Sequence, residues 1–191
     1  MQVKQAGKFI LNKLRRELPE RLTYHGVDHS IDVYESAQRI AKAEGLSNYE
    51  QKLLLTAALF HDSGFIKSRE GHEEESCKIA RQHLPGYNYR PVEIEIICDM
   101  IMATRLPQSP HNRMEEILCD ADLDYLGRDD FFALSNKLYS ELCREGLIEN
   151  EEEWNREQAD FMGGHSYHTA TSIKLRQPKK EQYIKLVKSK I

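Results

Sequence analysis

Three short stretches of this chain gather residues able to hold a metal or move a proton. They are Tyr24-His25-Gly26-Val27-Asp28-His29, Phe60-His61-Asp62-Ser63-Gly64 and Cys119-Asp120-Ala121-Asp122-Leu123-Asp124. The His61-Asp62 pair stands out because it ends the most apolar segment, Leu53-Leu54-Leu55 through Ala57-Ala58-Leu59-Phe60. An ionised carboxylate buried there is costly without a partner, and a divalent cation is an efficient one. The carbonyl end of a helix closing near Gly64 adds partial negative charge and also favours a cation. Taken singly, a His after an apolar run is usually a hydrogen-bonded core residue, and an Asp at a helix end is usually a cap. The ordered set His, His-Asp, Asp on three separate segments points instead to one mixed imidazole and carboxylate site. Without thiolates, such a site suits Mn²⁺, Fe²⁺, Zn²⁺ or Mg²⁺, as one or two ions.

The elements that must position these residues read as helices. Leu11, Leu14 and Leu18 share one face of a first helix, which Pro19 closes. Ile31, Tyr34, Ala37, Ile40 and Ala41 make the next stripe, from an Asp28 cap to Gly45. Residues 49–62 are apolar nearly all round, the mark of a helix buried in the middle of a fold. A loop from Ser63 to Gly71 precedes a helix from about His72 to Leu84, and Pro91 suits the first turn of another. Pro107 and Pro110 enforce a loop over 105–112, after which helices resume over 114–125 and 129–143. The remainder reads as helical, divided at Gly163-Gly164 and at Pro178, with Arg176, Lys179 and Lys180 at an exposed helix boundary. No alternating strand pattern occurs. The expected fold is all-α, one domain over 1–191.

Bulk properties narrow the class. The 191 residues suffice for one well-buried domain, and 40% hydrophobic with 30% charged residues is a globular balance. A net charge of −4 advertises no nucleic-acid or anionic-membrane surface. Cys77, Cys98, Cys119 and Cys143 form no CxxC pair and lie in apolar-periodic stretches, which favours small buried residues over zinc or disulfides. No signal peptide or membrane span is evident, so the expected address is the cytoplasm. The expected partner is a small molecule, with no nucleic acid and no membrane, and self-association is left open.

The pattern resembles the HD superfamily of metal-dependent phosphohydrolases, all-helical proteins defined by an ordered His, His-Asp, Asp metal site. The match covers about residues 22–127, which implies a domain core there and a C-terminal helical extension over about 128–191. The resemblance implies metal ligation by His29, His61, Asp62 and Asp122. Asp120 and Asp124 compete for the last place, and Asp122 is chosen because it follows Ala121. The Tyr24-His25 to His29 stretch also resembles the metal site of cyclic-nucleotide phosphodiesterases, whose first His donates a proton to the leaving oxygen. That role falls on His25, although Gly26 stands where those enzymes carry Asn. By analogy with two-metal members, His72 is a further ligand candidate. Lys67 and Arg69, just after the His-Asp pair, are candidates for binding substrate phosphate. His165, after Gly163-Gly164, could lie on a mobile element over the site.

The implied chemistry is hydrolysis of a phosphate ester, preferably a nucleotide, by hydroxide generated on the ion, with Asp62 as ligand and orienter and His25 as general acid. The alternatives are a cyclic-nucleotide phosphodiesterase specifically, a di-iron oxygenase on the same fold, or a metal-binding regulatory protein without turnover. The oxygenase needs extra His ligands, for which only His72 and His83 are available.

Overall fold

The most apolar helix of the chain opens with a reciprocal cap. The Ser47 hydroxyl accepts the Glu50 N–H while the Glu50 carboxylate accepts the Ser47 N–H, starting α3 (Asn48–Phe60). Every residue from Leu53 to Phe60 is then buried. Such a helix must be covered on all sides, at about 1.5–3 kcal/mol of stabilisation per large side chain. The cover comes from α1 (Val3–Glu17), α2 (Val27–Ala43), α5 (Pro91–Ala103) and α6 (Arg113–Asp122), all packed directly against it. The computed structural model, describing residues 1–191, contains no strand and completes the fold with α4 (His72–His83), α7 (Phe131–Arg144), α8 (Glu151–Gly164) and α9 (Ala170–Lys188). The fold is all-α, and no helix is long and apolar enough to cross a membrane. All four cysteines are free, and three of them are buried.

Three local expectations are corrected. Asp28 is not the cap of α2. Gly26 occupies that position, and Asp28 sits in the first turn, where an acid meets the positive end of the helix. The segment after Asp62 begins as a 3-10 turn, Ser63–Ile66, rather than as an irregular loop. Pro178 does not divide the last helix but lies inside α9. An interior proline removes a helical hydrogen bond and costs roughly 3 kcal/mol, so tertiary contacts must hold α9 together.

Those contacts include the residues expected at an exposed boundary. Arg176 donates to the buried Asp124 carboxylate, and Lys180 is buried, its Nζ 2.5 Å from the His165 carbonyl oxygen. Further along, Tyr183 and Val187 join Leu126, Phe131 and Met162 in a second apolar cluster, separate from the core around α3. The 3-10 turn Asp124–Gly127 lies against α9 so closely that a Cβ on Gly127 would come within 2.3 Å of the Arg176 carbonyl oxygen. Gly127→Ala is therefore expected to destabilise the protein by about 1–3 kcal/mol in urea unfolding. Gly163→Ala, which meets nothing within 4 Å, should be neutral or slightly stabilising. Equal effects of the two changes would refute the close docking of α9.

Candidate metal centre

Three helix ends converge on one point. His29 lies in the first turn of α2, His61 caps the carboxyl end of α3 with Asp62 next to it, and Asp122 is the last residue of α6. His29 Nε2 lies 3.1 Å from Asp122 Oδ1 and 3.2 Å from Asp62 Oδ2. His61 Nε2 lies 3.2 Å from Asp62 Oδ2 and 3.4 Å from Asp122 Oδ1. The ligating atoms of His29, His61 and Asp122 all fall within 4.8 Å of one another. Helix α6 is held in register by Asn112, whose side chain accepts the Met114 and Glu115 N–H groups.

The donor set fits a divalent cation. His61 Nδ1 bonds the Ala58 carbonyl at 2.9 Å, which fixes the tautomer and leaves Nε2 bare toward the cluster. Despite their proximity, His61 Nε2 and Asp62 Oδ2 make no hydrogen bond in acceptable geometry, and both are buried without a partner. A buried acceptor pair of this kind is satisfied by an ion. Without an ion, protons take that role. Burial alone would lower the His29 pKa, yet the hydrogen bond to Asp122 and the nearby Asp62 carboxylate outweigh it and hold it up at about 9. His61 is likewise raised by the neighbouring carboxylates against its burial. Asp62 and Asp122 are held below the ordinary carboxylate range by the imidazoles, again against burial.

The other acids of the Asp-rich stretch have different employment. Asp120, fully buried, accepts the His168 and Thr169 N–H groups and the Thr169 hydroxyl, tying α6 to the start of α9. Asp124 is clasped by Arg39 and Arg176. Only Asp122 of the three faces the imidazoles. His72 also turns inward, with Nδ1 on the Arg69 carbonyl and Nε2 3.4 Å from Asp62 Oδ1. It owes this position to Gly64, where a Cβ would collide with the His72 carbonyl oxygen. His83 lies elsewhere, its ring 4.5 Å from that of Phe9, so the oxygenase alternative finds no ligand there.

His25 lies beside the cluster, its ring stacked at 4.3 Å on Phe65, which also packs against His72. Its Nδ1 is bonded by Glu141 of α7, a carboxylate with no exposed surface that also accepts the Tyr24 and His25 N–H groups. Burial would raise the Glu141 pKa, but the His25 hydrogen bond and the N–H donors bring it down to about 2. Glu141 was not anticipated. Its one signal was an acid on the apolar stripe of α7, three residues after Leu138. Arg69 donates to Glu141 and Glu145.

His25, Asp62, Arg69, His72 and Asp122 line one cavity of about 710 Å³, within the range of small-molecule sites. Lys67 is not in its wall. It is exposed, and its charge acts on Glu17 of α1. Nor does His165 line it. It is half-buried, its Nδ1 and carbonyl oxygen both met by the Lys180 ammonium from α9.

The HD domain family model matches residues 26–125, a span that holds all four converging residues. The chain belongs to the HD domain family. Among solved structures, this HD domain is similar to a predicted HD superfamily hydrolase from an uncultured Thermotogales bacterium. That match has a TM-score of 0.64 and 20% identity, covering 95% of this chain and 89% of the other. A protein from Lactobacillus plantarum aligns at TM-score 0.64 and 18% identity, over 100% and 98% of the two chains. Both likenesses concern the fold. An uncharacterized protein of Clostridium beijerinckii is 33% identical over 92 residues, 47% of this chain and 58% of its own length.

Two outcomes follow for metal binding. With the pKa values of His29 and His61 both raised, metal must displace protons, so Mn²⁺ affinity should keep rising with pH at least to the His29 pKa of about 9, by about tenfold per unit for each proton displaced. Calorimetry in buffers of different ionisation enthalpy should detect the released protons, and a pH-independent affinity would contradict the cluster. Asp122→Asn should abolish or greatly weaken Mn²⁺ binding while the chain stays folded. Asp120→Asn and Asp124→Asn should instead lower the melting temperature and spare affinity in the protein that remains folded.

Proposed function

We propose that this HD-domain protein is a metal-dependent hydrolase of small phosphate esters. The observation that carries the reading is the cluster of buried His29, His61 and Asp62 with partly exposed Asp122, in which His61 Nε2 and Asp62 Oδ2 have no partner and both carboxylates line a cavity large enough for a small molecule. A divalent ion held there would polarise a phosphoryl oxygen and lower the pKa of a bound water from 15.7 to about 7. The residues of the chain supply the remainder. Asp62 offers one oxygen to His29 and His61 and the other to His72, so it can hold an ion and orient a nucleophile on the cavity side. His72 is positioned to join it as a ligand.

His25 is the proposed general acid. Glu141 holds Nδ1, which leaves Nε2 as the ring nitrogen available to give a proton to a leaving oxygen. Stacking on Phe65 fixes the plane of the ring. Arg69 lines the cavity near this acid, and its guanidinium balances Glu141 and Glu145. Nucleotides are the first substrates to assay, by analogy with the superfamily alone.

His25→Ala should leave Mn²⁺ content intact. Turnover of an alkyl phosphate, whose leaving oxygen needs a proton, should fall by roughly 10²–10⁴-fold. For p-nitrophenyl phosphate the loss should shrink sharply, because that leaving oxygen needs little help. Metal loss in step with activity would make His25 a ligand, and unchanged turnover of both esters would remove it from the reaction.

A further inference from the structure

The cavity that ends at the metal centre changes character along its length. Beside the polar residues of that centre, its lining includes Leu126, Leu138, Leu142, Ile148, Trp154 and Phe161, from the C-terminal helices and their loops. The lining also takes in Leu106 and Leu147, and both are more than half exposed. Single exposed leucines are ordinary, but these two come from separate loops and belong to one cavity lining. The charged groups of the wall point the same way. Its two arginines are already paired, Arg69 with Glu141 and Glu145, and Arg105 with Glu73 and Glu74. Glu153 and Glu157 add negative charge. A chain of several phosphates requires cations free to meet it, and this chamber offers none away from the metal centre.

On the phosphohydrolase reading above, we infer that the substrate is a phosphomonoester with a single phosphate and an apolar body, and that the C-terminal helices select it. The phosphate sits at His29, His61, Asp62 and Asp122, and the apolar body lies along Leu138, Leu142 and Phe161. Nucleoside triphosphates fit neither the charge nor the lining of the wall.

The test is a homologous series of butyl, hexyl and octyl phosphate with Mn²⁺-loaded protein, beside adenosine triphosphate, adenosine monophosphate and p-nitrophenyl phosphate. The kcat/KM should rise roughly two- to fourfold per added methylene, as burial of each group requires. Both nucleotides should fall below octyl phosphate. Binding of the matching alkyl phosphonates, which cannot be hydrolysed, is read separately through Trp154, the single tryptophan of the chain. Their affinity should climb with the same slope. Leu106→Glu with Leu147→Glu, changes at exposed positions that spare the core, should flatten both slopes. Esters hydrolysed without any dependence on chain length, or a nucleotide at the head of the panel, would overturn the inference and leave the hydrolase reading standing. Phosphonate affinity that rises with chain length while no ester is hydrolysed would support the apolar chamber and overturn the hydrolase reading instead.

Discussion

Two buried imidazoles, one buried carboxylate and one partly exposed carboxylate at a meeting of helix ends form the constraint on which this structure turns. Neither carboxylate could remain ionised there without positive charge, and the cluster can take that charge from protons or from a metal ion. The hydrogen bond from His61 Nδ1 to the Ala58 carbonyl decides which ring nitrogen is offered. The rest of the core holds the three ends in place. Helix α3 carries His61 and Asp62 from a capped start through an unbroken buried run. Both α2 and α6 lie directly on it and deliver His29 and Asp122.

A second layer of polar contacts joins the C-terminal helices to this centre. Glu141 collects two backbone N–H groups, the His25 ring and the Arg69 guanidinium, and Arg69 reaches on to Glu145. A carboxylate with no exposed surface is tolerable only because each oxygen is met by donors. The segment carrying His25, which belongs to no helix, is thereby fixed to α7. Asp120 and Asp124 perform the same service for α9, the first through Thr169 and the second through Arg176. Helices α7 and α8 and the loop between them thus supply part of the cavity wall.

Much of this was legible in the chain itself. The apolar run Leu53–Phe60 marked the central helix, because a helix without a polar face has to be buried. The His-Asp pair at its end marked the centre, because a carboxylate in that position calls for a cation. Proline and glycine punctuation located most helix ends to within a few residues. Pro178 misled for a physical reason: local preference against an interior proline is worth only a few kcal/mol, and contacts of Arg176, Lys180 and Tyr183 with distant segments override it.

What the sequence determined by itself was the set of chemical groups and the helices that carry them, since both depend on residue type and spacing along one segment. Which partner each group takes was decided only in three dimensions. Asp120, Asp122 and Asp124 are two residues apart and chemically identical, yet one faces Thr169, one the imidazoles and one three arginines. Lys67 and Arg69 are equally close in sequence, and only Arg69 reaches the cavity. Glu141 lies 116 residues from His25 and meets it because α7 folds back across the site. Such pairings depend on the direction of each side chain after packing, a quantity that no local pattern encodes.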